Sequence, residues 1–171
     1  MKKFLMVLCG FVMIPLWAQV QKYSWDFSDC EIRDILYAVS LDTGFSIVAD
    51  DTVKGNGTFK FVGDDFEKAF DSFLATSRLY VSKNDGLWTV SRCRVEVEND
   101  LISLDVFDLS PSQILDKISV VVEKPISFDS LPNNHLTMHF RNLNEIELLE
   151  KICMYFSGYQ VNENGSGYHF S

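Results

Sequence analysis

Ser24-Trp25-Asp26-Phe27-Ser28-Asp29 lies against Ser103-Leu104-Asp105-Val106-Phe107-Asp108 at an offset of about 79 positions. The same offset carries Ile35-Leu36 onto Ile114-Leu115, Asp50 onto Asp129, Phe59 onto Met138 and Phe61 onto Phe140. It continues with Phe70 on Leu149, Phe73 on Ile152, Tyr80 on Tyr159 and Gly86 on Gly165. Few residues are identical, but apolar positions match in a nearly gapless register. A repeat of this length means that one supersecondary unit is used twice, each copy with its own apolar face to bury. The expected division is a first unit over 23–91, a linker over 92–102 and a second unit over 103–171.

Both copies read in the same order. In the first, Tyr23 to Phe27 alternates as a strand, and Ser28 with Glu31 matches a capping box opening a helix. Ile32, Ile35, Leu36 and Val39 share one helical face, and Gly44 supplies a left-handed stop. Phe45 to Ala49 and Thr58 to Val62 read as strands around a turn at Lys54-Gly55-Asn56-Gly57. Asp64 and Glu67 open a second helix striped by Phe66, Ala69, Phe70, Phe73 and Leu74, and Asn84-Asp85-Gly86 turns a closing hairpin. In the second copy Ser110-Pro111-Ser112-Gln113 caps the first helix, and Ile114, Leu115, Ile118 and Val122 form its buried face. Pro125 to Phe128 and Leu136 to Phe140 are the strands. Ile146, Leu149, Ile152 and Phe156 stripe the second helix, stopped by Gly158, and Asn164-Gly165 turns the last hairpin. Two helices among about five short strands per copy make the expected class α+β.

Ahead of the repeat stands Met1-Lys2-Lys3, an apolar run from Phe4 to Leu16, then Trp17-Ala18 before polar Gln19. A basic start, a short apolar stretch and a small residue at its end read as a secretory signal peptide over 1–18, cut between Ala18 and Gln19. The run is shorter than the roughly 20 residues that span a bilayer, and no other segment reads as a transmembrane span. Export places the chain where disulfides form, yet loss of Cys9 leaves Cys30, Cys93 and Cys153, an odd number that cannot all pair. Cys30 and Cys153 fall in expected helices, where a cysteine is usually a small buried apolar group.

The formal charge of −9 argues against partners held through a phosphate backbone, and hence against nucleic acid. Convergent catalytic groups are equally hard to find. His135 and His139 stand four apart, a zinc spacing on a helix, but in an expected strand that separation is about 13 Å and excludes a shared metal. Asp50-Asp51 and Asp64-Asp65 sit where turns and caps favour aspartate, without the ligand order of a calcium loop. Gly55 and Gly57 are too few for a phosphate loop. Asn56-Gly57-Thr58 and Asn164-Gly165-Ser166 match glycosylation sequons but read as turns. No catalytic, cofactor-binding or metal-binding residue is therefore expected, and no enzyme activity. Binding through exposed strand edges remains, with Trp25 and the first strand as the candidates.

Trp25-Asp26-Phe27, Ile32-Arg33-Asp34-Ile35-Leu36, Thr43-Gly44-Phe45-Ser46-Ile47-Val48 and Val53-Lys54-Gly55 together resemble the short N-terminal (STN) domain of secretins and TonB-dependent receptors. Phe66-Glu67-Lys68-Ala69-Phe70 and Leu79-Tyr80 extend the likeness to about Val90. The second copy is similar mainly through its helix stripes, and Leu148 to Tyr159 is also similar to the C-terminal domain of FecR-type regulators. The resemblance implies a periplasmic protein–protein interaction module of two such domains, acting in outer-membrane assembly or trans-envelope signalling. Its implied partners are an envelope protein (a secretin, a TonB-dependent receptor or an anti-sigma regulator) or a second copy of itself. An extracytoplasmic ligand- or glycan-binding protein on the same scaffold is the other reading left open.

Overall fold

A computed structural model describes residues 22–171, so the expected leader over 1–18, with Cys9, lies outside the described residues. The first half runs β1 (Tyr23–Glu31), α1 (Ile32–Thr43), β2 (Ser46–Ala49), β3 (Asn56–Gly63), α2 (Phe66–Thr76), β4 (Tyr80–Asn84) and β5 (Leu87–Ser91). After β6 (Cys93–Glu98) come β7 (Leu101–Leu109), α3 (Pro111–Val122), β8 (Ile126–Phe128), β9 (Leu136–Leu143), α4 (Glu145–Cys153), β10 (Val161–Asn164) and β11 (Gly167–Phe170). The class is α+β. In the first half β1 pairs antiparallel with β3, while β5 lies parallel to β2 and antiparallel to β4. The second half has the same pairings: β7 antiparallel with β9, and β11 parallel to β8 and antiparallel to β10.

The matching positions extend to the backbone. Asp29 in β1 and Asp108 in β7 both adopt a left-handed conformation, with φ of 53° and 55°. Each sits where the strand register slips, between Phe27 and Cys30 and between Val106 and Leu109. Aspartate tolerates this region better than most side chains, and a bulge here bends the strand toward the helix that follows. The freed amides find matching acceptors: Asp29 N–H donates to Thr58 Oγ1 at 3.2 Å, and Asp108 N–H to Thr137 Oγ1 at 3.1 Å. Ser40 and Ser119 likewise donate to the carbonyls of Phe45 and Lys124, at 2.6 and 2.8 Å, behind the left-handed C-caps Gly44 and Glu123.

Several local expectations are corrected. Ser28 and Glu31 do not form a capping box, because β1 stays paired with β3 through the bulge as far as Glu31. The first helical amide, of Ile32, donates instead to the Gly55 carbonyl at 3.0 Å. Asn56-Gly57 belongs to β3 rather than to a turn, opposite Glu31 and Cys30. α4 ends at Cys153, before Gly158; the amides of Tyr155 and Phe156 reach back only three residues, tightening the chain so that Phe156 stays buried off the helix. The stretch 92–102 is no irregular linker but carries β6, joined to β7 by a two-residue turn. Asn99 and Asp100 there have φ of 51° and 62°, the left-handed pair that matches strand twist in a tight hairpin.

Two apolar clusters fill the structure and share no residue. One gathers Trp25, Ile35, Leu36, Phe59, Phe66, Phe70, Phe73 and Trp88 with their neighbours; the other gathers Leu104, Val106, Ile114, Leu115, Met138, Leu149, Ile152 and Phe170. Polar and cation–π contacts join the halves. Lys117 on α3 reaches Asp50 at 2.8 Å and Asp51 at 3.4 Å. Arg78 lies over the Phe107 ring at 4.5 Å, and Arg94 over Tyr80 at 5.1 Å. Truncating the matched core residues Phe70 and Leu149 to alanine is expected to cost about 3–5 and about 2–5 kcal/mol respectively. Trp25 and Trp88 both lie in the first half, so urea melts followed by tryptophan emission should shift strongly for Phe70→Ala. Leu149→Ala should lower the circular-dichroism transition while leaving the tryptophan midpoint nearly in place.

Candidate interaction surface

The sheet around β7 shows what a filled strand edge looks like in this protein. Asp105, central in β7, stands opposite Arg94 of β6 on one side and His139 of β9 on the other. Arg94 donates to Asp105 Oδ2 from Nε at 3.2 Å and from Nη2 at 2.7 Å. Oδ1 accepts from Arg141 Nη2 at 2.7 Å and lies 2.9 Å from His139 Nδ1. The carboxylate is only 5% exposed. Burial by itself disfavours its charge, but the bonds from Arg94, Arg141 and His139 prevail and bring its pKa down to about 2.

The matching strand β1 is furnished differently. Asp26 occupies the place of Asp105, and Lys60 of β3 the place of His139, paired at 2.8 Å. Among the described residues no strand lies along the other edge of β1, where β6 lies along β7. Asp26 is accordingly 71% exposed, its pKa lowered first by the hydrogen bond from Lys60. Its neighbours are opened too: Tyr23 and Phe27 are half-buried, whereas Ile102 and Val106, which match them, are 2% and 0% exposed. Main-chain donors and acceptors along such an edge can take up another strand.

The other residues singled out in the sequence fall into structural places. Trp25 points into the core, with its indole N–H donating to Asp42 Oδ2 at 2.7 Å, so its ring is not offered to a partner. His135 lies 3.1 Å from Asp108, and His139 belongs to Asp105, so the two histidines serve different carboxylates. Asp50 accepts from the Thr52 amide at 2.9 Å and pairs with Lys117, while Asp65 rather than Asp64 caps α2. Asn56 Nδ2 donates to the Asp29 carbonyl at 3.1 Å. Cys30, Cys93 and Cys153 are free thiols; burial pushes the Cys93 thiol up to about 12, which makes it a poor nucleophile. A groove of about 540 Å³ between the halves is lined by Thr52, Lys54, Arg92, Asp108, Gln113 and His135 among others. Its polar groups are largely occupied with one another: Arg92 donates to the Lys54 carbonyl at 2.8 Å, and Thr52 Oγ1 accepts from the Arg92 amide at 2.8 Å.

Reading the sequence for sites missed both the Asp105 cluster and β6. The alternation Arg94-Val95-Glu96-Val97-Glu98 followed by Asn99-Asp100 was the available signal. Compared with known proteins, the chain matches no family model and no curated sequence.

Because Asp105 titrates below its ordinary range, its contribution to stability is complete above about pH 4, the pKa of an unfolded aspartate, and is lost as pH falls through about 2. Asp105→Asn should therefore destabilise the protein by about 2 kcal/mol at pH 7. Urea melts at pH 7, 4 and 2 check this, with the gap between wild type and variant expected to close at the lowest pH.

Proposed function

We propose that the protein is an exported periplasmic interaction module of two tandem domains similar to the short N-terminal domains of secretins and TonB-dependent receptors. It would serve outer-membrane assembly or trans-envelope signalling by docking an envelope protein or a second copy of itself. The observation that carries the reading is the unfilled edge of β1, set beside the filled edge of the matching strand β7. An edge strand left open is a hazard that proteins normally cover, twist away or use for recognition. The first-half motifs support the family likeness, and the leader-like first eighteen residues support export. His135 and His139 are held against Asp108 and Asp105, Asp50 closes a turn onto Thr52, and Asp65 caps α2.

The test is made in cells. The tagged full chain is expected in the periplasmic fraction, with an amino terminus beginning at Gln19 and an envelope protein joined to it after cross-linking. A chain that keeps Met1 and stays in the cytoplasm, or that is recovered with no envelope protein and no second copy attached, overturns the proposal.

A further inference from the structure

The two halves differ at one place in a way that names a ligand. β6 lies antiparallel to β7 with Cys93 opposite Val106, Arg94 opposite Asp105 and Val95 opposite Leu104. On the far side of β7, Val106, Asp105 and Leu104 face Met138, His139 and Phe140 of β9. In the first half Phe27, Asp26 and Trp25 of β1 face Phe59, Lys60 and Phe61 of β3, each triplet matching its counterpart residue for residue. The counterpart of β6 is what the described first half lacks.

From this juxtaposition we infer that the open edge of β1 binds an extended antiparallel segment of a partner protein, one that carries an arginine between two apolar residues. The arginine would stand opposite Asp26, as Arg94 stands opposite Asp105, with its apolar neighbours beside Phe27 and Trp25. This deepens the adaptor reading above and rests on it.

The state of the two aspartates supports the match. Asp105 has both oxygens engaged, Oδ2 by Arg94 alone and Oδ1 by the groups from β9. Asp26 has Oδ1 engaged by Lys60 and, at 3.3 Å, by the Ser28 hydroxyl, which leaves Oδ2 without a donor among the described residues. Arg94 places both Nε and Nη2 on the one oxygen Oδ2 of Asp105, and a planar guanidinium can repeat that contact at Asp26, where a lysine ammonium has no such fork. The apolar neighbours have surface to cover, since Tyr23 and Phe27 are half-buried where Ile102 and Val106 are shut away. A second copy is the less suited occupant. Its own strand of this pattern, β6, is already paired with β7 through a two-residue turn and would have to be torn from it.

The probe is a synthetic peptide with the sequence of residues 92–99, Cys93→Val, added to the mature chain and followed by fluorescence anisotropy and hydrogen exchange. Binding should protect the amides of 23–27. Asp26→Arg in the protein, or Arg94→Asp in the peptide, should each weaken binding about tenfold or more, and combining the two should recover most of it. Asp26→Asn, which keeps the shape and drops the charge, should weaken binding without altering the far-ultraviolet spectrum. Binding that ignores both charge reversals, protection that appears on β7 or nowhere, or a peptide that fails to bind overturns the inference. So does sedimentation showing two copies joined through their own β6 strands. Asp26→Arg in cells separates the two readings: an envelope cross-link that survives it leaves the adaptor standing without this site. A cross-link lost only in that variant places the partner on β1.

Discussion

A strand that must bend sharply into a helix needs some means of holding the bend, and in this protein a threonine hydroxyl provides it in each half. Thr58 and Thr137 accept the amides of Asp29 and Asp108 at the two bulges. The hydroxyl takes the place of the ladder partner that the extra residue forfeits, so the amide is not left unsatisfied. Past the bulge β1 leads directly into α1, and one residue separates β7 from α3. That places Ile35 and Leu36, and in the other half Ile114 and Leu115, over the inner face of their sheets. The remaining strands of each half then complete the layers around those helices.

Within this shared frame the two cores are chemically unlike. The first is built from rings: Trp88 lies within about 6 Å of Phe66 and Phe70, and Phe59 stacks on Phe73 at 4.8 Å. The second is mostly aliphatic, with Met138, Leu149 and Ile152 where the first has Phe59, Phe70 and Phe73. Packing tolerates such exchanges when volume is redistributed among neighbours, which is how one backbone course persists under low identity. The polar face of each first strand shows the opposite behaviour. Asp26 and Asp105 are the same residue in the same register, yet one stands in water and the other under a salt-bridged cover. What separates them is a neighbouring strand rather than their own chemistry.

The periodic elements were legible in the sequence because their signals are local. Helical stripes such as Phe66-Phe70-Phe73 and Ile114-Leu115-Ile118, the Ser110–Gln113 cap and the Gly44 stop depend only on residues a turn or two away. What was misread depends on pairing across the chain. Ser28 and Glu31 have the right spacing for a cap, but β3 already holds that backbone in a ladder. Arg94 to Glu98 alternates as a strand should, yet lying in a gap between two repeats it passed for a connector. The Asp105 cluster brings Arg94 of β6 and His139 and Arg141 of β9 onto β7, and no spacing along the chain announces that meeting. Trp25 was legible as part of the first strand, and its inner-face position already favours the core, where the ring lies.

A single residue, Arg92, separates the end of β5 from the start of β6. β5 is the middle strand of its sheet, flanked by β2 and β4. The chain's last strand, β11, is likewise the middle one, between β8 and β10. Tension passing along the join thus leaves the first half through the middle strand of a sheet, β5, and enters the second through β6, which is hydrogen-bonded along its length to β7. A pull between the halves is therefore borne by paired strands on both sides of Arg92, with that single residue between them.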